Sequence, residues 1–304
     1  MAIVSVENLK MSYDKGRVKA LKGVTFDVEE GEIFGLIGPD GAGKTSLFRI
    51  LTTLLLADSG KAVVDGMDVV NDYKKIRQHI GYMPGRFSLY QDLTVEENLS
   101  FFATVFNTTI EENYHLVEDI YRQIEPFKKR KAGKLSGGMK QKLALSCALI
   151  HAPHVLFLDE PTTGVDPVSR KEFWEMLQKL KKNFKLSIVV STPYMDEALQ
   201  CDRIALIQDG QFLTIDTPEN IIRAYTQTLW SLRSDKMHKL LTDLRGIDGV
   251  KTAFAFGENH HATIDTSVLT VDSLRNRLVS LGHRNIVIEV VEPTIEDCFM
   301  NLQK

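Results

Sequence analysis

An α/β fold with a covered parallel sheet is predicted for this 304-residue chain by three observations. Short apolar runs recur at Ile33 to Ile37, Ile80 to Met83, Val155 to Leu158 and Ile188 to Ser191, as strands buried on both faces do. The first run leads into Gly38-Pro39-Asp40-Gly41-Ala42-Gly43-Lys44-Thr45, a match to the phosphate-cradling pattern G-x-x-x-x-G-K-[ST], and the loop opens a helical stretch from Ser46 to Leu56. The third run ends in Asp159-Glu160, two carboxylates at the carboxyl end of a strand, where open α/β sheets bind their ligands.

The elements follow in order. Alternating apolar residues in Ile3 to Leu9 and in Val24 to Val28 predict an antiparallel subsheet ahead of the parallel runs. In the phosphate loop, glycines let backbone N–H groups turn inward around an anion, and the helix N-terminus adds a favourable dipole. Lys44 then reaches the β- and γ-phosphates of a nucleoside triphosphate, and the Thr45 hydroxyl ligates Mg²⁺. Between the second and third apolar runs lies a helical insertion, Thr94 to Gln123, opened by the capping-box pattern Thr94-Val95-Glu96-Glu97. Its aromatic residues Phe101, Phe102 and Phe106 read mostly as helical core packing. The segment Leu135-Ser136-Gly137-Gly138-Met139-Lys140-Gln141 precedes a helical pattern of Leu143, Leu145, Ala148 and Leu149, and an exposed Ser-Gly-Gly at a helix start is a second anion site. Of the paired carboxylates, one can hold Mg²⁺ and the other can orient water.

After Thr217-Pro218-Glu219-Asn220 the pattern changes. Strand-like Leu229 to Leu232, helix-like Lys236 to Leu244, strands near Val250 to Phe256 and Ala262 to Ile264, a helix from Val271 to Leu281 and a strand from Ile286 to Val291 give a β-α-β-β-α-β order, the ferredoxin-like arrangement. No catalytic constellation is visible in it.

A content of 43% hydrophobic and 25% charged residues suits one large core and a smaller one. A net charge of −3 carries no polyanion-binding signature, so nucleic acid is not an expected partner. The cluster Lys128-Lys129-Arg130-Lys131 reads as solvated surface. No apolar run is long enough to span a bilayer, and Met1 to Glu7 reads as an alternating strand without the regions of a signal peptide. Membrane association is therefore expected through a partner. Cys147, Cys201 and Cys298 form neither a metal spacing nor an even disulfide set and read as reduced thiols of a cytosolic compartment. His260 and His261, with no carboxylate pattern beside them, read as a surface turn or strand.

With GPDGAGKT, LSGGMKQ and VLFLDEPTTGVDP in that order, residues 3 to about 220 resemble the ATP-binding subunits of ABC transporters. The resemblance implies a P-loop ABC-type ATP-binding domain over 1–224, with a mixed sheet and a helical subdomain at about 90–150; the pattern after it reads as a small α+β accessory domain over 225–304. It implies Asp159 as the Walker B aspartate on Mg²⁺, Glu160 as the catalytic glutamate, Asp166 as the D-loop aspartate at a dimer interface, and Tyr13 as the ring against adenine, a task suited to a π-face. It implies a head-to-tail dimer in which ATP is sandwiched between Gly38 to Ser46 of one copy and Ser136-Gly137-Gly138 of the other. The implied partners are a second nucleotide domain, identical or not, and a transmembrane permease subunit whose coupling helix meets the region from Arg86 through the helical insertion. The implied location is the cytoplasmic face of the membrane. The stretch Glu292 to Phe299 resembles the closing segment of drug-type exporters. Two other functions stay open: a soluble ABC protein acting on ribosomes or DNA, and a degenerate regulatory subunit that binds ATP without useful turnover.

Two positions depart from the family pattern. Gly85 stands where the family has the Q-loop glutamine, and Pro193 stands where it has the switch histidine. Proline neither donates a hydrogen bond nor transfers a proton. The expectation is that nucleotide binding survives and hydrolysis is slow. Gln91 and His79, nearby in sequence, read as solvated loop residues rather than replacements.

Overall fold

The computed structural model describes residues 2–303; Met1 and Lys304, the outermost residues of the two expected domains, lie outside them. The chain divides between Pro218 and Glu219 into two compact units.

In the first unit, β1 (Ala2–Tyr13) and β2 (Val18–Glu29) pair antiparallel. Val4, Val6, Leu9 and Met11 of β1 are buried, with Asn8 in the left-handed region making the bulge that restores the pattern between Val6 and Leu9. β3 (Ile33–Ile37), buried along its whole length, feeds the phosphate loop and α1 (Lys44–Leu51). The helix stops short of the expected Leu56. Thr52 turns its hydroxyl back onto the Phe48 carbonyl, Thr53 takes φ 64°, and the N–H groups of Leu54 and Leu55 both fold back to the Arg49 carbonyl. β4 (Ser59–Val64) and β5 (Met67–Asp68) complete a four-stranded sheet in the order β2-β1-β4-β5.

α2 (Tyr73–His79) leads into β6 (Ile80–Met83). The helical arm follows as α3 (Val95–Val105), α4 (Ile110–Tyr121) and α5 (Gly137–Leu149). The Thr94–Glu97 capping box forms as expected, and Thr109–Glu112 makes a second. Phe101 is exposed, while Phe102 and Phe106 are half-buried and line a cavity of about 300 Å³ with Met83, Leu89 and His151, so these three rings are peripheral and the apolar residues that α3 buries are Val95, Leu99 and Ala103. Lys129, Arg130 and Lys131 are solvent-exposed.

β7 (Val155–Asp159), α6 (Pro167–Phe184), β8 (Ser187–Thr192), β9 (Arg203–Gln208) and β10 (Gln211–Asp216) close the unit. The second sheet runs β10-β9-β3-β8-β7-β6, parallel except for the edge strand β10. One core joins the two sheets through α1: Phe34, Phe157 and Val189 meet Phe48 and Leu51, and beyond them Val4 and Phe26. Among the described residues no helix is long and apolar enough to cross a membrane.

α7 (Pro218–Arg223) starts at the division, so the expected boundary after 224 falls just past it. The second unit is built from β11 (Thr228–Arg233), α8 (Met237–Leu244), β12 (Val250–Phe256), β13 (Asn259–Ile264), α9 (Val271–Ser280), β14 (Val287–Val291) and α10 (Ile295–Leu302). Its antiparallel sheet runs β12-β13-β11-β14, and Trp230 and Leu232 pack with Leu240 and Leu244 of α8 and Leu274 and Leu278 of α9. His260 and His261 are on a strand but not at the surface. Both are buried: His260 Nε2 lies 2.7 Å from the Met237 carbonyl oxygen and His261 Nδ1 lies 2.7 Å from Asp297 Oδ1, a partner 36 residues further on that no local pattern reveals. Burial opposes the charge on Asp297, but hydrogen bonds from His261 and Thr294 hold its carboxyl below the usual carboxylate range.

Candidate functional site

The phosphate loop is shaped by crowding on its outer side and open donors on its inner side. A Cβ on Gly38 would collide with the Ile207 carbonyl oxygen, and one on Gly43, at φ 106°, with that of Ala20. The loop is tied from behind: Gly38 N–H donates to the Thr192 carbonyl at 3.3 Å, Ala42 N–H to Pro39 at 3.2 Å, and Gly210 N–H to the Ala42 carbonyl at 3.0 Å. The N–H groups of Gly41, Gly43, Lys44 and Thr45 find no backbone acceptor among the described residues. Such a row of unsatisfied donors at a helix N-terminus fits a polyphosphate. Asp40 and Gly41 are exposed on the loop's rim.

Lys44 is only 3% exposed. Its ammonium donates to the carbonyls of Gly38 at 2.7 Å and Pro39 at 2.9 Å, and lies 3.3 Å from Glu160 Oε1. One buried cation is thereby held at the loop mouth against the carboxylate that follows β7. Thr45 Oγ1 lies 3.3 Å from Asp159 Oδ1, although 114 residues separate them. A hydroxyl and a carboxylate facing each other are hard oxygen donors, which suit Mg²⁺ alongside phosphate oxygens and water. The residues present thus fit the ion.

Ser191, which the sequence did not single out, organises the carboxylate pair. Its hydroxyl donates to Asp159 Oδ1 at 2.6 Å and accepts from Glu160 N–H at 3.1 Å, while its carbonyl accepts from the same N–H at 3.0 Å. Those bonds hold Glu160 at φ 50°, a left-handed conformation that costs a non-glycine residue about 1–3 kcal/mol and collects at functional sites. Buried Glu197 adds a second brace. It accepts from Thr162 Oγ1 at 3.1 Å and from Thr192 Oγ1 at 2.6 Å, and Arg170 Nε stands 3.6 Å from its other oxygen. Tyr82, largely buried and facing the negative charge of Asp159, has its phenol pushed up to about 12.

Tyr13 OH lies 3.0 Å from Ser46 Oγ, placing the ring at the start of α1 with part of its surface exposed. Ser136 caps α5 by accepting from Met139 N–H, Gly137 sits beside Gly164 of the loop before α6, and Gly138 beside Ser169 in the first turn of α6. Asp166 caps α6: hydrogen bonds from Ser169 hold its carboxyl below the usual range. Gln141 donates to the Pro161 carbonyl, tying α5 to the segment after Glu160. Among the described residues, no hydrogen bond or ion pair joins Ser136, Gly137 or Gly138 to Lys44, Thr45 or Asp159.

Both departures adjoin the carboxylates and the loop. A Cβ on Gly85 would lie 3.0 Å from the Asp159 carbonyl oxygen and 3.8 Å from Glu160 Cβ. Pro193 follows Thr192, whose carbonyl receives the first N–H of the phosphate loop. Gln91 sits against Gly133. His79 is not a solvated loop residue: it ends α2 with Nδ1 2.7 Å from Asp65 Oδ2.

The ABC transporter family model matches residues 21–163. Over 314 residues the chain is 30% identical to the linearmycin resistance ATP-binding protein LnrL of Bacillus subtilis, covering 99% of this chain and 98% of that one. The chain belongs to the ATP-binding proteins of ABC transporters. It is 42% identical over 221 residues to the probable multidrug ABC transporter ATP-binding protein YbhF of Escherichia coli, a match that covers 71% of this chain and only 38% of YbhF. A solved dimer of the ATP-binding cassette MJ0796, in a post-hydrolysis state with ADP and Pi, superposes with a TM-score of 0.64 at 26% identity, over 70% of this chain and 98% of that one. ATP hydrolysis coupled to transport is the activity of this family. The matched range 21–163 spans the phosphate loop, the Ser136 segment, Asp159 and Glu160.

Proposed function

We propose that this protein is the ATP-hydrolysing subunit of an exporter of drug-like or other hydrophobic molecules, working through a separate transmembrane subunit at the cytoplasmic face of the membrane. The observation that carries it is the convergence of Lys44, Thr45, Asp159 and Glu160, drawn from two distant segments onto one loop mouth. The names of LnrL and YbhF support the cargo class.

In this reading the loop N–H groups and Lys44 bind the β- and γ-phosphates, and Lys44 exchanges the Gly38 and Pro39 carbonyls for phosphate oxygens. Thr45 and Asp159 would hold Mg²⁺, which would supply charge neutralisation to the phosphates. Glu160, released from Lys44, accepts a hydrogen bond from the attacking water and takes its proton. Tyr13 stacks on adenine. Ser136, Gly137 and Gly138 of a second nucleotide domain close the site from the far side, with Asp166 at that interface. Gly85 and Pro193 leave out a metal–water contact and a γ-phosphate sensor, so turnover is slow. A positioned acid–base group typically contributes about 10²–10⁴ in rate.

The test is detergent purification of the native complex followed by an ATPase assay. Co-purification of a polytopic membrane subunit with Mg-ATP-dependent turnover is expected. A chain that instead sediments with ribosomes in a nucleotide-dependent way, and captures no membrane subunit, would overturn the reading.

A further inference from the structure

A second convergence of titratable side chains shares no residue with the nucleotide site. We propose that Asp65, His79 and His154 form a binding site for a divalent transition-metal ion of the zinc class. His79 Nδ1 lies 2.7 Å and His154 Nδ1 2.8 Å from the same oxygen, Asp65 Oδ2, and one ligand atom from each residue falls within 4.8 Å of the others. The two rings stand edge to face with centroids 4.9 Å apart, so both nitrogens aim at one point rather than past each other.

The three ligands come from three segments that the backbone fixes. Asp65 occupies the turn between β4 and β5 at φ 52°, with its N–H donating to the Ile3 carbonyl at 2.7 Å. His79 is the last residue of α2, and His154 immediately precedes β7; His154 N–H donates to the His79 carbonyl at 2.8 Å. A cation here would clip the antiparallel sheet and α2 to the start of the strand whose far end carries Asp159.

The donor set selects the ion. Two imidazoles and one carboxylate match zinc sites with three protein ligands and a water in the fourth position, whereas Mg²⁺ and Ca²⁺ take oxygen ligands. Zinc–ligand bonds of about 2.0–2.1 Å in tetrahedral geometry set ligand atoms roughly 3.3 Å apart, so the triad opens by about half an ångström to admit the ion. The His154 side chain is 58% exposed and the His79 side chain 40%, which leaves room for that movement and for a bound water. Where the rings are neutral, each proton now shared with Asp65 moves from Nδ1 to Nε2 as Nδ1 takes the metal; a charged ring gives up one proton to solvent.

The experiment uses the full chain, free of nucleotide and of any histidine tag, titrated with Zn²⁺ by calorimetry and with Co²⁺ by visible absorption. One ion per chain is expected, with the intense d–d bands of tetrahedral Co²⁺ and a rise in Tm when Zn²⁺ is present. Asp65→Asn and His154→Gln should each weaken Zn²⁺ binding at least tenfold and abolish the rise in Tm, and His238→Gln, at an exposed position elsewhere, should change neither. Because His154 is largely exposed, its variant keeps the fold, which circular dichroism checks. No uptake by the parent at submillimolar Zn²⁺, or equal uptake by His154→Gln, overturns the proposal. Neither result bears on the nucleotide site, whose residues are untouched.

Discussion

Ser191→Ala removes a short, buried hydrogen bond to Asp159 while leaving the phosphate loop, Asp159, Glu160 and the Ser136 segment unchanged in sequence. The Ser191 hydroxyl donates to Asp159 Oδ1 at 2.6 Å, Ser191 is fully buried and Asp159 is 2% exposed, so water cannot replace the lost donor without local opening. The second bond of that hydroxyl, from Glu160 N–H, is largely redundant because the same N–H also reaches the Ser191 carbonyl at 3.0 Å. The loss is therefore one hydrogen bond to a charged acceptor, about 1.5–3 kcal/mol. For a unit of this size that is a fall in Tm of about 3–12 °C, at 2–4 °C per kcal/mol. Ser146→Ala is the control: it deletes a buried hydroxyl that donates at 2.9 Å to the neutral Lys142 carbonyl, expected to cost about 0.5–1.5 kcal/mol. Each unit has one tryptophan, Trp174 in the first and Trp230 in the second, so urea titrations in a Trp230→Phe background report the first unit alone. The gain in ATP affinity on adding Mg²⁺ should shrink as well, because Thr45 at 3.3 Å is then the sole remaining hydroxyl on Asp159 Oδ1. If Ser191→Ala is no less stable than Ser146→Ala and keeps the parent's Mg²⁺ dependence, Ser191 does not hold the carboxylate.

Lys44→Ala should take Mg-ATP binding below detection in calorimetry, since it deletes the buried cation held at the loop mouth and leaves the Glu160 carboxylate without its 3.3 Å ion pair; unchanged affinity would refute the site. Pro193→His should raise steady-state ATPase at saturating Mg-ATP, within the roughly 10²–10⁴-fold range of a positioned acid–base group. Gly85→Gln should add less, because its Cβ starts 3.0 Å from the Asp159 carbonyl oxygen and the neighbour must give by a few tenths of an ångström. A parent as fast as both single variants and the double would show that another residue carries the sensing role. Asp297→Asn should flatten the acid side of the second unit's stability. The folded carboxyl sits below its ordinary value of 3.8, so its contribution is present above that pH and is lost as pH falls through the lower folded value. Guanidinium titrations followed at Trp230 at pH 7 and about pH 3 should show the variant losing stability mainly at pH 7, and an equal loss at both would exclude the linkage.

The parallel sheet was legible because strands covered on both faces are built mainly from apolar residues: Ile33 to Ile37, Val155 to Leu158 and Ile188 to Ser191 all lie in strands of one sheet, with Ile80 to Met83 at its edge. The helix after the phosphate loop was read five residues too long, because Leu54 and Leu55 continue the apolar pattern while the Thr52 hydroxyl and the left-handed Thr53 end the helix through the backbone. The hairpin of β9 and β10 was missed although Asp209-Gly210 is a strong turn signal; both residues have positive φ. At the site, motif residues were legible because their spacing is local. Ser191 and Glu197 were not, since each acts on a residue more than thirty positions away. The same holds for His261 with Asp297, and for His79 and His154, which meet at Asp65 from 14 and 89 residues off.

Where the structure connects strand β8 to the rest of the nucleotide site decides what Pro193 costs. The Thr192 carbonyl anchors the first N–H of the phosphate loop, Ser191 holds both Asp159 and Glu160, and Thr192 Oγ1 shares Glu197 with Thr162 from the segment after Glu160. Each of these bonds is made by Ser191, Thr192 or the Glu197 carboxylate, and none needs an imidazole or the N–H that proline lacks. Tyr194, next along, recovers the chain direction by donating its N–H to Thr192 Oγ1 at 3.1 Å, and Arg170 stacks on its ring at 4.1 Å. Proline at 193 is thus compatible with a fully assembled loop and carboxylate pair. In the proposed function its cost then falls on the γ-phosphate contact and proton handling, and not on binding. On the function proposed above, a subunit so built holds ATP and hydrolyses it slowly, and the proposal then predicts that turnover depends on whether the second nucleotide domain is a copy of this chain or one that retains histidine.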